Sequence, residues 1–525
     1  MTGPQEATII QTSTAELHAG FLELLRTGHR LALVAAHHDL PGDDAEGEVI
    51  RIVYVMVSSR SDTRVELHVL LPIDQPDLPS LADVSFPAGR FEREIQDLFG
   101  IRLVGHHQPA RLVLHQHWPT GWYPMRHDAG PPPPFDQETE SYPFLTVDGP
   151  GVYEIPVGPV HAGVIEPGHF RFSVVGETIL NMKARLWFLH KGVERLFQGR
   201  TVEAGVELAE RISGDTAVGH NLAYCLAVER AAGCIPPPEA QATRAVLLEL
   251  ERLYNHVTDL GAMGNDVGFG IAHAHTMRIR EQLLRLNARI TGHRLLRGGV
   301  VPGGARTEWL PDPATLTAML DDIHEVVEIM MANTTLVDRF TGTSVLSNDD
   351  AAQIGTLGYV ARASGIDIDA RRDHPFADVY ESLTVPVIAT GDVMSRFQVR
   401  IGEIDASMAL VTVLLPQIRT GLHHSPLTSS DGPGHGVGLV EGWRGTIAHR
   451  VEVRPDGALL RVKVVDPSFF NWPALPVALA GDTIVPDFPL TNKSFNLSYA
   501  GNVLLNISNR QRSCWSDCVQ SRCAR

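Results

Sequence analysis

A chain of 525 residues, 44% of them hydrophobic and 20% charged, has the apolar content for two or three domains with cores of their own. Its formal net charge of −17 excludes a surface built for nucleic acid or anionic lipid, since both reward Lys and Arg. The five cysteines, Cys225, Cys234, Cys514, Cys518 and Cys523, form no Cys-x-x-Cys and no regular framework, so reduced thiols are expected, and the acidity fits a cytoplasmic protein.

The first residues carry no basic n-region or apolar h-region, and no run of about 18 apolar residues occurs, so any membrane contact is expected through a partner. Leu17, Phe21, Leu24 and Leu25 share one face of a predicted helix, with a threonine just before it as a possible cap. RLALVAAHHD, EVIRIVYVMVSS and RVELHVLLP, separated by polar turns, predict a strand meander under that helix. Pro87 opens a short helix carrying Glu92, Arg93, Glu94 and Asp97, which on charge content alone reads as a solvated face. These pieces make a small α/β domain over residues 1–123. The four consecutive prolines in PMRHDAGPPPPFDQETESYP predict a stiff linker over 124–149 and a domain boundary.

The second domain is expected over 150–503. Alternation in PVHAGVIEPGHFRFSVV predicts a strand, a Gly/Pro turn and a returning strand. Helical patterns follow to about residue 421, beginning with LNMKARLWFLHKGVERLF and including ELERLYNHVTDLGAMGNDVGF. Strand alternation returns over 436–466, with a turn at Pro455, Asp456 and Gly457. The fold class is therefore α+β, a mainly helical body with strands at its ends, and residues 504–525 are expected to be a disordered tail.

The stretch ERISGDTAVGHNLAYCLAVER, residues 210–230, has apolar residues at helical spacing with polar groups among them. Ser213 and Thr216 lie three apart, on one face if the helix has begun there, and Tyr224 follows two turns later. Two thiols at that spacing would grip a soft metal, whereas hydroxyls are hard, weakly acidic donors. Ordinary back-bonding hydroxyls are the plain alternative.

Several longer strings carry a family resemblance. ERE-x-x-D-L-F-G is similar to the signature of the hydrophilic 30 kDa (C) component of respiratory complex I. GPVHAGVIEPGHFRF, ERISGDTAVGHNLAYCLAVE, EGWRGTIAHRVEVRPDG and IVPDFPLTNKSFNLSYAGN resemble its 49 kDa (D) component and, more closely, the large subunits of formate hydrogenlyase and hydrogenase-4-type nickel–iron hydrogenases. The resemblance covers nearly all of residues 30–502 in the order of a C–D fusion. It implies a docking domain, then a domain whose cavity holds nickel and iron in the hydrogenases and receives a quinone headgroup in complex I.

The resemblance puts Ser213 and Thr216 where the hydrogenases have their first cysteine pair, and Asn496, Leu497, Ser498 and Gly501 at the second. With those thiols absent, no nickel–iron centre is expected. Cys514, Cys518 and Cys523, spaced x3 then x4, lie beyond the segment of likeness. What the resemblance implies instead is quinone as the substrate. Tyr224 stands where complex I has its quinone-binding tyrosine, His161 and His169 in the region of its headgroup histidine, with His169 the better match because the loop here is longer, and Asp266 where an aspartate pairs with that histidine. Glu166 resembles the proton-passing glutamate of the hydrogenases, and Arg444 an arginine that overhangs the pocket.

Electrons are expected from a 4Fe-4S cluster on a small iron–sulfur partner resembling the B component of complex I, because this chain has no cysteine cluster for one. Integral membrane partners would hold the assembly on the inner face of the plasma membrane. Two further readings stay open, a hydrogenase catalytic role and a scaffold without chemistry.

Overall fold

The computed structural model describes residues 7–41, 47–58, 60–134, 142–161, 165–381, 383–427, 434–480 and 483–499. Ser13 and Glu16 form a reciprocal cap, the Ser13 hydroxyl 2.7 Å from the Glu16 carboxylate, and open helix α1 (Leu17–Arg26). The cap thus falls on a serine, not on the expected threonine. Strands β2 (Arg30–Asp39), β3 (Val49–Ser58) and β4 (Thr63–Pro72) run antiparallel in sequence order, as the alternation predicts, and β1 (Thr8–Gln11) adds a parallel edge to β4. β2 and β3 are buried on both faces. Helices cover one face, and strands from the far end of the chain close the other.

β5 (Asp77–Pro79) and β6 (Arg102–Val104) pair in parallel on either side of α2 (Phe86–Phe99). Ser85 caps α2, and Gly100 ends it at φ 77°, where a Cβ would stand 2.6 Å from the Tyr123 ring. The charged face of α2 is not solvated. Glu92 accepts from the Leu81 N–H at 2.7 Å and Asp97 from the N–H groups of Leu112, Val113 and Leu114 at 2.7–3.1 Å. Arg93 donates to the Ala110 carbonyl at 2.6 Å, and Glu94 pairs with Lys463 at 2.7 Å. Each charge is buried against a partner supplied by another segment, so the motif fastens a loop and a distant strand.

β7 (Val152–Val157), β8 (His169–Val175) and β9 (Thr178–Arg185) form the next antiparallel sheet. β9 lies inside the stretch whose composition predicts helix; only α3 (Val193–Phe197) is helical there. Met, Lys, Ala and Arg favour helix weakly, and the ladder to β8 with burial of Ile179, Met182 and Ala184 overrides them. α4 (Val202–Ala209), α5 (Ala217–Ala231), α6 (Pro238–Asp266) and α7 (Gly270–Thr291) build the helical body, joined by helices Pro313–Met331 and Val393–Leu414.

The strand Gly434–Gly442 lies directly on α5. A Cβ on Gly438 would stand 1.9 Å from the Ala223 carbonyl oxygen, so this approach needs glycine. The strand returns through Trp443 and Arg444, a two-residue turn, into Gly445–Val453, followed by Leu459–Val465. Short helices then lead to Phe488–Phe495, which ends at Asn496 with φ 36°.

No helix or strand occurs among the described residues of 105–151, yet this segment is packed. Met125 belongs to the core, and Arg185 and Arg171 lie over the rings of Tyr142 and Phe144 at 4.7 and 4.6 Å. One hydrophobic cluster runs from Phe21, Val53 and Phe91 to Phe170, Trp443 and Trp472, so the two regions share a core, while a second cluster fills the helical body. Among the described residues, no helix is long and apolar enough to cross a membrane.

Candidate functional site

α5 begins at Ala217, so Ser213 and Thr216 belong to the turn before it and not to a helix face. The turn folds around Asp215. Its Oδ1 accepts from the Ser213 and Thr216 hydroxyls, both at 3.0 Å, and its two oxygens take the Arg444 guanidinium at 2.8 and 2.7 Å. Burial would push the Asp215 carboxyl up, but the Arg444 charge and these hydrogen bonds hold it at about 2. The hairpin turn supplies both of its residues: the Trp443 indole N–H donates to the Thr216 hydroxyl at 3.1 Å, and Arg444 Nε to the Asn496 carbonyl at 2.5 Å. Arg252, buried, holds the hairpin from behind by donating to the Glu441 and Gly442 carbonyls. Ser498 brings its hydroxyl to 3.4 Å from that of Ser213.

Of the four hydrogenase cysteine positions, three are therefore oxygen donors already engaged with protein partners, and Gly501 lies outside the described residues. Hard hydroxyls committed to a carboxylate and an indole do not fit a nickel–iron centre. Among the described residues, no three His, Cys, Asp or Glu side chains are grouped to hold a metal ion. Cys225 and Cys234 are buried free thiols, and burial pushes both above the usual thiol range. Cys514, Cys518 and Cys523 lie outside the described residues.

On the other side of Ser498 stands Tyr499, which the sequence reasoning passed over. His161 Nε2 lies 3.3 Å from its hydroxyl, and burial pushes the phenol up to about 12. Glu166 is 3.9 Å from Lys191, whose ammonium donates to the Ile212 carbonyl at 3.0 Å, next to Ser213. Arg444 thus grips the turn and Lys191 its approach, while Glu166 meets Lys191 and His161 meets the neighbour of Ser498. Tyr224 does not join them. Its ring stacks on Phe197 and its hydroxyl donates to the Val202 carbonyl at 2.8 Å, so its one proton is committed to backbone. Nor do His169 and Asp266 pair. His169 Nδ1 lies 3.2 Å from the Gly158 carbonyl oxygen, whereas Asp266, at the end of α6, faces the charges of Lys493 and His273. The histidine opens β8 and the aspartate ends α6, so different elements carry them.

A cavity of about 770 Å³ opens beside the turn, between α2, residues 113–132, residues 187–196 and the strand Leu459–Val465. Trp118, Trp122, Trp187 and Phe188 give it aromatic walls, and Ile212 and Lys191 join it to the Asp215 turn. Its inner wall is charged and paired: Lys463 bridges Glu94 and Glu194 at 2.7 and 3.1 Å. Asp466 meets His220 at 3.0 Å, and His220 meets His449 at 3.1 Å. Beneath α5, Glu251 accepts the N–H groups of Val218 and Gly219 at 2.6 and 2.9 Å, and burial raises its carboxyl to about 8. Such an arrangement can hold a flat apolar ring and place proton-carrying groups at its edge. Two signals in the sequence could have found the missed residues: Asp215 stands between the two hydroxyls, and Tyr499 directly follows Ser498.

The family described as the respiratory-chain NADH dehydrogenase 30 Kd subunit matches residues 11–133, and the corresponding 49 Kd subunit family matches residues 266–431. Formate hydrogenlyase subunit 5 of Escherichia coli (strain K12) is 32% identical over 470 residues, 85% of this chain and 81% of that protein. The C/D fusion of the NADH-quinone oxidoreductase of Phocaeicola vulgatus is 28% identical over 514 residues, 90% of this chain and 94% of its own. A chain in the structure of the membrane-bound sulfane sulfur reductase, an archaeal respiratory membrane complex, superposes with a TM-score of 0.61 at 23% identity, over 67% of this chain and 98% of that one, a likeness of fold.

Proposed function

The chain belongs to the family of fused 30 kDa and 49 kDa complex I-type subunits and is a subunit of an oxidoreductase complex, and from that premise we propose that it forms the acceptor cavity of a membrane-associated respiratory assembly. The acceptor is a quinone or a similar flat, apolar, two-electron carrier. A small iron–sulfur partner closes the cavity and delivers electrons from its 4Fe-4S cluster, and integral membrane subunits hold the assembly to the inner face of the plasma membrane.

The observation that carries this reading is the replacement of soft anionic donors by a hydroxyl, carboxylate and arginine cluster in a turn whose neighbours Ile212 and Lys191 line an aromatic cavity. Reducing a quinone places negative charge on two carbonyl oxygens and requires two protons. Arg444, fixed by Asp215, offers a cation where such charge develops. His161 and Glu166, on the β7–β8 connection, and His169, at the start of β8, supply protons from the opposite side. Lys191 ties Glu166 to the turn and keeps that loop at the cavity mouth.

Purified native complex, given a low-potential one-electron reductant, is expected to reduce a short-chain quinone and to contain nickel far below stoichiometry. Stoichiometric nickel, with hydrogen evolution that disappears when the metal is stripped, would overturn the reading.

A further inference from the structure

Tyr499 is 6% exposed, its ring against Trp472 with centroids 4.9 Å apart, and a Cβ on Gly168 would stand 2.8 Å from that ring. The packing leaves the phenol little freedom, and among the described residues its hydroxyl has two hydrogen-bonding neighbours. Asn492 Nδ2, which can only donate, is 3.4 Å away; His161 Nε2 is 3.3 Å away on the other side. His161 Nδ1 lies 3.3 Å from the Pro159 carbonyl oxygen, which can only accept.

These constraints orient every hydrogen in the chain. Nδ1 must carry the imidazole proton, because Pro159 offers an acceptor alone. In the neutral imidazole Nε2 is then an acceptor, so the phenol donates to it and receives from Asn492. We propose that Tyr499 is a positioning residue for His161, holding the imidazole in one orientation and one tautomer at the edge of the acceptor site. The inference rests on the function proposed above.

Tyr499→Phe keeps the ring and its packing while removing the hydroxyl. In the purified native complex, kcat for a short-chain quinone is expected to fall about tenfold with KM within twofold, because orientation of the proton-bearing group is lost and binding is not. Tyr499→3-fluorotyrosine, which retains a donor, is expected to recover most of that rate. Nitrogen-15 spectra of histidine-labelled complex, with the His161 signals identified by their loss in His161→Gln, supply a readout that needs no acceptor. In Tyr499→Phe the Nε2 signal is expected to leave its hydrogen-bonded position and the single tautomer to become a mixture.

Unchanged His161 signals in Tyr499→Phe overturn the inference whatever the kinetics. Changed signals in a complex whose parent reduces no quinone support the positioning role and sink the quinone reading instead. If Tyr499→Phe fails to assemble, Asn492→Ala decides. It removes the donor that directs the phenol proton, so a shift of the same His161 signals is expected, and their constancy counts against the proposal.

Discussion

Arg444 grips both carboxylate oxygens of Asp215, at 2.7 and 2.8 Å, although 229 residues separate them in sequence. The pair closes the turn before α5 against the tip of a β-hairpin, joining the two elements on which the proposed acceptor site is built.

That geometry depends on a planar fork, which Lys does not have. Arg444→Lys in the native complex is expected to lower kcat for quinone reduction by about tenfold to a hundredfold while the complex still assembles. Steady-state kinetics with a short-chain quinone checks this, and a rate within twofold of the parent would remove Arg444 from the site.

Tyr224→Phe is expected to leave quinone reduction within twofold of the parent, because the hydroxyl it removes is spent on the Val202 carbonyl. The cost should appear in stability, at about 1 kcal/mol for a buried hydrogen bond. Kinetics and a thermal melt of the same preparation separate the two effects.

Glu66 on β4 meets Arg450 at 3.0 Å and His68 at 2.8 Å, and it is fully buried. Burial opposes its charge, but the Arg450 cation and the His68 hydrogen bond bring the carboxyl down to about 2. The folded value lies below the unfolded one of about 4.3, so the stabilisation is complete above that pH and is lost as pH falls towards 2. It amounts to about 3 kcal/mol at neutral pH. Glu66→Gln should lower the melting temperature at pH 7 and have progressively less effect between pH 4 and pH 2.

Glu251 has the opposite sign. Burial raises its carboxyl to about 8, so the folded chain keeps a proton that the unfolded chain releases above about 4.3, and stability falls as pH rises from there to 8. Glu251→Gln should remove this slope and gain stability relative to the parent as pH increases. Infrared difference spectra at pH 7 should contain a protonated-carboxyl band that the variant lacks.

The sheet β2–β4, helix α1 and the final strands were legible because alternation and amphipathic spacing report directly on burial. The charged face of α2 was legible as a motif but not as a buried one. Nothing in EREIQD reveals that other segments will bring N–H groups to Asp97 or an ammonium to Glu94. β9 was read as helix because its partner strand, not its residues, decides its state. At the site, Arg444 and His161 were found by resemblance. Asp215 and Tyr499 were not, because their importance comes from contacts that bridge hundreds of positions.

The shared core that runs from Phe21 to Trp472 bears on what the peptide connection between the two halves is for. A chain severed within the proline-rich stretch should remain clasped as two pieces, since Glu66 with Arg450, Arg51 with Glu452 and Glu94 with Lys463 all reach across the seam. Fusion then serves synthesis and stoichiometry: one translated product delivers both halves in equal number, already tethered, to whatever membrane complex recruits them.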